Sequence, residues 1–338
     1  MADVVTLTVA EVIVETADAR SIVFTIPEGH QAAFAYAPGQ FLTLRIPSDR
    51  TGSVARCYSL SSAPYEGRVQ VTVKRTGYGS GWVCEELRVG AEIDVLPPAG
   101  VFVASSLDRD FLLLAAGSGI TPVMSILKSA LRHGTGQVVL VYANRDEASV
   151  IFARELAELV TQHPGRLTVV HWIESLQGLP SARMLETLAA PYRGRDAYLC
   201  GPAPFMAAAR TALTVLGVPR ERVHVEKFHS LTGNPFEQTP EPVAAGSETA
   251  RLTVDLDGET HTVAWPRQRK LLDHLLAEGL DAPYSCREGQ CSACACRLVS
   301  GEVKMLNNEV PDAEDLADGI VWPASRCPVT DEVSVSYE

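Results

Sequence analysis

The sequence predicts a multidomain chain: an antiparallel β-barrel, then an α/β domain with a parallel sheet, then a small α+β domain. Three observations carry this. Up to about residue 105 the chain reads as short strands with turn punctuation and one short helical stretch. From Phe111 strands alternate with helices. Beyond a Pro- and Gly-rich stretch, the cysteines crowd into one segment. The predicted boundaries are 1–105, 106–229, a linker at 230–249, and 250–338. At 338 residues and 46% apolar content, each part can bury its own core.

In the first part the predicted strands are Leu7–Val14, Ser21–Ile26, Phe41–Ile46, Arg56–Ser61, Val69–Arg75 and Glu92–Val95, with turns at Pro38-Gly39 and Gly67. Only Trp82–Leu87 reads as helix. Within this run stands Arg56-Cys57-Tyr58-Ser59. Side chains alternate along a strand, so Arg56 and Tyr58 share one face and Cys57 and Ser59 the other. A cation and an aromatic ring on one face can hold a phosphate and stack a planar ligand. Lys74 and Arg75 follow on another strand, ahead of Thr76-Gly77-Tyr78-Gly79-Ser80-Gly81. That loop's glycines would let backbone N–H groups approach an anion. Cys57 and Cys84 read as ordinary buried thiols.

In the second part Phe111–Ala115 is a continuous apolar run, as in a strand buried on both faces. It ends in Gly117-Ser118-Gly119-Ile120-Thr121-Pro122, with a helix expected over 122–133, Thr121 as its N-cap and Pro122 at its first position. Strand, glycine turn and helix start together suit a dinucleotide pyrophosphate. The third glycine of the usual Rossmann fingerprint is replaced by Pro122. Strands Val138–Tyr142, Leu167–Trp172, Ala197–Cys200 and Arg222–Glu226 alternate with helices Val150–Thr161, Ala182–Leu188 and Pro204–Leu216. Ligands in such sheets lie beyond the carboxyl ends of the strands, which points to Asn144-Arg145, to Cys200-Gly201-Pro202, and to the residues after Val225.

Ser230–Thr249 lacks apolar periodicity and reads as a mobile linker. A hairpin over Leu252–Val263 turning at Asp257-Gly258 and a helix over 270–278 precede YSCREGQCSACACRL. There Cys286, Cys291 and Cys294 stand in C-x4-C-x2-C spacing, the opening of a plant-type [2Fe-2S] loop.

The net charge of −12 argues against a nucleic-acid partner, since no basic stripe is available to displace phosphate counterions. Residues 248–338 carry 17 acidic against 8 basic side chains, so most of the negative charge sits on the cysteine-bearing part. This is either a solvated acidic surface or a docking face for a basic redox partner. No signal peptide or membrane span is visible, and the cysteine clustering suits a metal site in a reducing compartment, so a cytoplasmic protein without a membrane partner is expected.

Taken together, these motifs resemble the three-part flavin reductases that feed bacterial oxygenases, within the ferredoxin–NADP reductase-like superfamily. They are similar to the reductases of phenylacetyl-CoA epoxidase and especially of 3-ketosteroid 9α-hydroxylase. The strings that carry this are PGQFLTLRIPSDRTGSVARCYSLSS, LLLAAGSGITP, YANR, ESLQGLPSA and CREGQCSACAC. The resemblance implies an FAD barrel, an NAD domain and a β-grasp ferredoxin domain, passing electrons from NADH through FAD and a [2Fe-2S] cluster to a Rieske oxygenase of steroid breakdown. It implies that Arg56, Tyr58, Ser59, Lys74, Gly79 and Ser80 hold FAD. Gly117, Gly119, Thr121 and Pro122 would shape the nucleotide site, with Asn144 and Arg145 near the adenosine and Cys200 and Gly201 near the nicotinamide. Ser59, Cys200 and Glu226 would flank hydride transfer, and Phe228 would close the flavin site. Asp146 and Glu147 beside Arg145 would repel a 2′-phosphate, so NADH is expected over NADPH. A monomer is expected. The alternatives are the reductase of another oxygenase, such as phenylacetyl-CoA epoxidase, or a redox sensor that does not turn over.

One position departs from the family pattern. The fourth cluster ligand is expected with 29 residues between it and Cys294, at Ala324, and the only later cysteine is Cys327. Cys327 is the expected fourth ligand, with Cys296 a further candidate.

Overall fold

The computed structural model describes residues 4–228, 231, 233–237, 248–256, 258–280, 282–284, 287, 289, 293–305 and 319–337. The barrel consists of β1 (Val5–Thr16), β2 (Ala19–Thr25), β3 (Phe41–Ser48), β4 (Gly52–Ser59), β5 (Val69–Lys74) and β6 (Glu92–Ala99), with helix α1 (Tyr78–Glu86) after β5. All pairings are antiparallel, in the order β4-β3-β6-β1-β2-β5, and a bridge from Leu60 to Val71 draws the two edges together. Val5, Leu7, Leu42, Leu44, Val71 and Val95 fill the interior.

The predicted glycine loop after Lys74 is mostly helix. Gly77 lies at the start of α1, and the Thr76 and Gly77 amides donate to Ser80 Oγ at 2.9 and 3.0 Å. The Ser80 hydroxyl supplies the acceptor that the early amides of the turn need, which lets a glycine-rich run begin a helix. Cys57 and Cys84 are half-buried rather than buried.

The α/β unit contains β7 (Phe111–Ala116), α2 (Ile120–His133), β8 (Val138–Asn144), α3 (Ala153–Gln162), β9 (Leu167–Ile173), α4 (Glu174–Gln177), α5 (Ala182–Ala189), β10 (Asp196–Cys200), α6 (Ala203–Val215) and β11 (Val223–Glu226). The sheet is parallel, in the order β11-β10-β7-β8-β9. Alternation explains the apolar run in β7. Phe111, Leu113 and Ala115 pack with Val123, Ile126 and Leu127 of α2, whereas Leu112, Leu114 and Ala116 pack with Leu185 of α5 and Phe205 and Leu213 of α6.

The start of α2 differs from expectation. Gly117–Gly119 form a 3-10 turn that runs straight into the helix, so Gly119 is its N-cap and Pro122 its third residue. Proline fits there because the first amides of a helix have no intrahelical partner. Thr121 donates its hydroxyl to Ser118 O at 3.0 Å instead of capping.

The cysteine-bearing domain has β12 (Thr249–Leu256), β13 (Glu259–Pro266), α7 (Leu271–Ala277), β14 (Cys296–Ser300), β15 (Val303–Met305), β16 (Ile320–Val321), β17 (Arg326–Pro328) and β18 (Glu332–Ser336). Its main sheet runs β13-β12-β18-β14-β16, with β12 and β18 parallel. Trp265, Leu271, Leu272 and Leu275 sit under it.

The first part of the predicted linker is not free. Leu231 packs on Ala55, and Leu231 O accepts from Arg56 Nη1 at 3.3 Å. Asn234 Nδ2 donates to Ser53 Oγ at 2.7 Å, and Ser53 Oγ donates to Glu237. Leu231 and Phe236 are isolated apolar anchors, which a test for periodicity does not register.

The barrel and the α/β unit are joined through buried polar groups. Lys128 of α2 is 2% exposed and donates to Glu66 Oε2 at 2.8 Å and Glu155 Oε1 at 3.1 Å, and Ser125 Oγ donates to Ser62 O at 2.6 Å. Removing the cation leaves two carboxylates facing each other. Lys128→Met should therefore cost on the order of 2–4 kcal/mol in denaturant unfolding of the two-domain unit. Adding Glu66→Gln should recover part of the loss, and an unchanged midpoint in Lys128→Met would contradict this role.

Candidate redox site

A cavity of about 350 Å³ opens where the barrel meets the α/β unit. Strand β4 contributes Arg56, Tyr58 and Ser59, β5 contributes Lys74, and α1 contributes Gly79 and Ser80. Ser118 and Thr121 enter from the glycine turn, and Phe228, 50% exposed, stands at the edge. The cavity thus gathers the flavin-site residues named from the sequence. Cys57 lines it too, so both faces of β4 reach the cavity near the end of the strand.

The groups present fit a flavin nucleotide. A Cβ on Gly79 would lie 3.0 Å from Arg56 Cγ, so glycine is what lets α1 start against the arginine. The Tyr58 hydroxyl is buried without a hydrogen-bond partner, and burial pushes its pKa up. Arg56 Nη1 is tied to Ala55 O at 2.7 Å, which orients the guanidinium along β4.

Beside this cavity two turns cross at the carboxyl edge of the sheet. A Cβ on Gly119 would fall 2.1 Å from Cys200 O and 2.7 Å from Gly201 N, a distance only glycine tolerates. Gly117 has φ +53, and its carbonyl accepts from Tyr142 Oη at 3.0 Å. Asn144 is buried, and neither of its amide atoms meets a partner at hydrogen-bond geometry. Arg145 is exposed, and its Nε donates to Asp146 Oδ2 at 2.9 Å. These groups fit a dinucleotide: a tight backbone turn at a helix start, and an unpaired amide at a strand end.

Cys200 and Glu226 stand in register across β10 and β11. Burial holds the Cys200 thiol well above its usual range, with Glu226 adding to the effect. Desolvation raises the Glu226 carboxyl from 4.5 to about 8, so it keeps its proton at neutral pH.

In the third domain Cys294 and Cys296 are buried together with Ala324, Trp322 and Leu271. Cys286 and Cys291 lie outside the described residues. Gly289, between them in sequence, packs on the 322–325 turn: a Cβ there would meet Ser325 Oγ at 2.9 Å and Trp322 Cβ at 3.3 Å. Arg287, at φ +57, donates to Asp273 Oδ1 of α7 at 2.7 Å. Gly289 thus lies against the turn that holds Ala324, whose methyl group offers no donor. Cys327 is buried in β17 opposite Lys304. Burial raises its pKa, and Lys270 and Lys304 act against the rise.

Several residues of this region carry no motif. Thr72 lines the cavity and would have been found by applying period-2 alternation back from Lys74. Ser118 is reached only because the glycine turn folds as 3-10 helix. Tyr142 holds Gly117 from a neighbouring strand, a contact that no local signal announces.

The Glu226 shift has a consequence for stability. Below the ordinary carboxylate pKa both folded and unfolded chains hold the proton, and above about 8 neither does. Between these limits only the folded chain holds it, so stability falls as pH rises. Glu226→Gln lacks this slope. Its Tm relative to the parent should climb between about pH 5 and 8 by on the order of several degrees in nucleotide-free buffer, and parallel Tm–pH curves would refute the assignment.

Comparison with known proteins agrees with this geometry. Family models match an oxidoreductase FAD-binding domain over residues 6–103, an oxidoreductase NAD-binding domain over 113–211, and a 2Fe-2S iron-sulfur cluster binding domain over 254–329. The 3-ketosteroid-9-alpha-monooxygenase ferredoxin reductase component of Rhodococcus rhodochrous is 56% identical, over 98% of this chain and 97% of its own. One of the 1,2-phenylacetyl-CoA epoxidase subunits of Escherichia coli is 34% identical over 98% of this chain and 97% of its own. Phthalate dioxygenase reductase shares the fold, with a TM-score of 0.59 at 23% identity over 98% of both chains. With its FAD-binding, NAD-binding and 2Fe-2S domains in that order, the chain belongs to the family of the 3-ketosteroid-9-alpha-monooxygenase ferredoxin reductase components.

Proposed function

We propose that this protein takes electrons from NADH and delivers them singly to a Rieske-type oxygenase that hydroxylates a 3-ketosteroid. The observation that carries this is the shared cavity, in which Arg56, Tyr58 and Lys74 of the barrel meet Ser118 and Thr121 of the nucleotide turn. FAD, when bound, supplies the conversion of a two-electron hydride into single electrons, and a [2Fe-2S] cluster supplies the outlet.

The protein's own part is positioning. Arg56, Lys74, Gly79 and Ser80 hold the phosphate side of FAD, Tyr58 stacks on its ring, and Ser59 bonds its edge. Gly117, Gly119, Thr121 and Pro122 form the pyrophosphate turn for NADH, and Asn144 and Arg145 receive the adenosine half. Cys200 and Gly201 set the nicotinamide, with neutral Glu226 beside Cys200, and Phe228 covers the ring edge. The protein works as a cytoplasmic monomer. Among the described residues no helix is long and apolar enough to cross a membrane.

Asp146 supports NADH. It accepts from Ser149 N at 2.8 Å and from Arg145, which hold its carboxyl below the usual range. Arg145 is thereby committed to a carboxylate at the place where a 2′-phosphate would need it. The direct test is reconstitution with a candidate Rieske oxygenase and a 3-ketosteroid. NADH should support coupled hydroxylation with a kcat/KM at least about tenfold above that of NADPH. An NADPH preference of that size would sink the nucleotide assignment, and electron delivery only to a phenylacetyl-CoA epoxidase would redirect the partner.

For the cluster, Cys286, Cys291 and Cys294 supply three thiolates and Cys327 the fourth. Support comes from the alanine at 324 and from the burial of Cys327 in the strand that follows. Cys327→Ser should lower bound iron and acid-labile sulfide in the purified protein. Full occupancy in that variant would remove Cys327 from the ligand set.

A further inference from the structure

A line of buried hydroxyls crosses the face of the barrel that meets the α/β unit. Ser61 Oγ lies 2.7 Å from Thr72 Oγ1, and Thr72 Oγ1 lies 2.7 Å from Ser21 Oγ across the β2–β5 pair. Ser21 Oγ donates to Glu15 Oε1 at 2.6 Å, and Gln70 Nε2 donates to Ser61 Oγ at 3.1 Å. Ser21, Ser61 and Thr72 are at most 3% exposed.

Proton counting fixes the direction of the line. An ionised carboxylate only accepts, so the single Ser21 proton points at Glu15. Ser21 must then accept from Thr72, and Thr72 from Ser61, whose other acceptor, Gln70 O, is 3.4 Å away. Every hydroxyl is therefore polarised toward Glu15.

The two ends lie in different places. Thr72 lines the cavity assigned to FAD. Glu15 is half-buried in the bulge of β1 and faces the α/β unit. The ionisable groups around it are Glu155 of α3, Lys128 of α2 and Tyr142 of β8, and the Phe152 amide hydrogen-bonds to it. Phe152 has φ 62, an uncommon backbone state for a phenylalanine, at the residue whose amide meets Glu15. Burial raises the pKa of the Glu15 carboxyl, against the pull of Ser21.

The reaction leaves a proton to be removed. Oxidation of NADH yields NAD+, two electrons and one proton, and only the electrons go to the oxygenase. We propose that Thr72, Ser21 and Glu15 form the exit path for that proton, with Glu15 as the terminal acceptor; this rests on the flavin assignment of the cavity. A water carrying that proton in the cavity gives up one O–H bond as Thr72 Oγ1 forms one, while the Thr72 proton passes to Ser21. The Ser21 proton passes to Glu15, and the Glu15 carboxyl releases it to water. Each oxygen gains one O–H bond and loses one, and rotation of the hydroxyls restores the starting polarity.

The test uses full-length FAD-loaded protein and the variants Thr72→Val, Ser21→Ala, Glu15→Gln and Thr72→Ser. FAD content is measured first, and parent protein that binds no FAD would remove the flavin assignment itself. Proton release is then followed with a pH-indicator dye in weak buffer, after mixing with NADH and ferricyanide. Release should lag ferricyanide reduction by about tenfold or more in Thr72→Val, Ser21→Ala and Glu15→Gln, and Thr72→Ser should behave as the parent. The reduced-minus-oxidised infrared spectrum should contain a protonated-carboxyl band that Glu15→Gln abolishes. Should Thr72→Val or Ser21→Ala lose FAD or fail to fold, Glu15→Gln decides, since it keeps the hydrogen bond and removes only the acceptor. Release in step with electron delivery in Glu15→Gln, or an unchanged infrared spectrum, would overturn the path.

Discussion

The crossing of two backbone turns at the carboxyl edge of the parallel sheet is the constraint on which the redox site depends. Gly119 passes so close to the Cys200 carbonyl that any side chain would occupy the same space. That approach lets the start of α2 and the end of β10 frame a single site. It also sends Ser118 and Thr121 forward into the cavity that the barrel builds from β4 and β5. Lys128 and Ser125, on the same helix, then fasten the barrel beneath it. One helix start thus serves both the glycine turn and the docking of the two domains.

The architecture was readable because its signals are local. The apolar run of β7, the alternation of strand and helix after it, and the cysteine spacing each depend on a few neighbouring residues. The places where expectation failed share a cause. The Gly77–Gly81 run begins a helix because Ser80 offers an acceptor to the amides before it. Thr121 loses the capping role because the 3-10 turn starts the helix two residues earlier. The described first part of the linker, through Glu237, is pinned with the help of two isolated apolar side chains. In each case the deciding contact is specific, where the sequence rule describes an average.

The site divides in the same way. Arg56, Tyr58, Lys74 and Gly79 belong to motifs and converge on one cavity. Thr72, Tyr142 and Glu15 belong to none, since their meaning comes from partners many residues away. The cluster corner remains the point at which family pattern and this chain part: Ala324 sits packed with Cys294 where a thiolate is expected.

The pinned strap has a mechanical consequence. Contacts to Ser53 and Ala55 hold the chain through Glu237 on the strand that carries Arg56 and Tyr58. Strand β4 stands at one end of the sheet order, and the strap covers its outer backbone near Ser53, whose carbonyl also accepts from Asn234 Nδ2 at 3.3 Å. An edge fastened in this way is closed to pairing with a strand of another molecule.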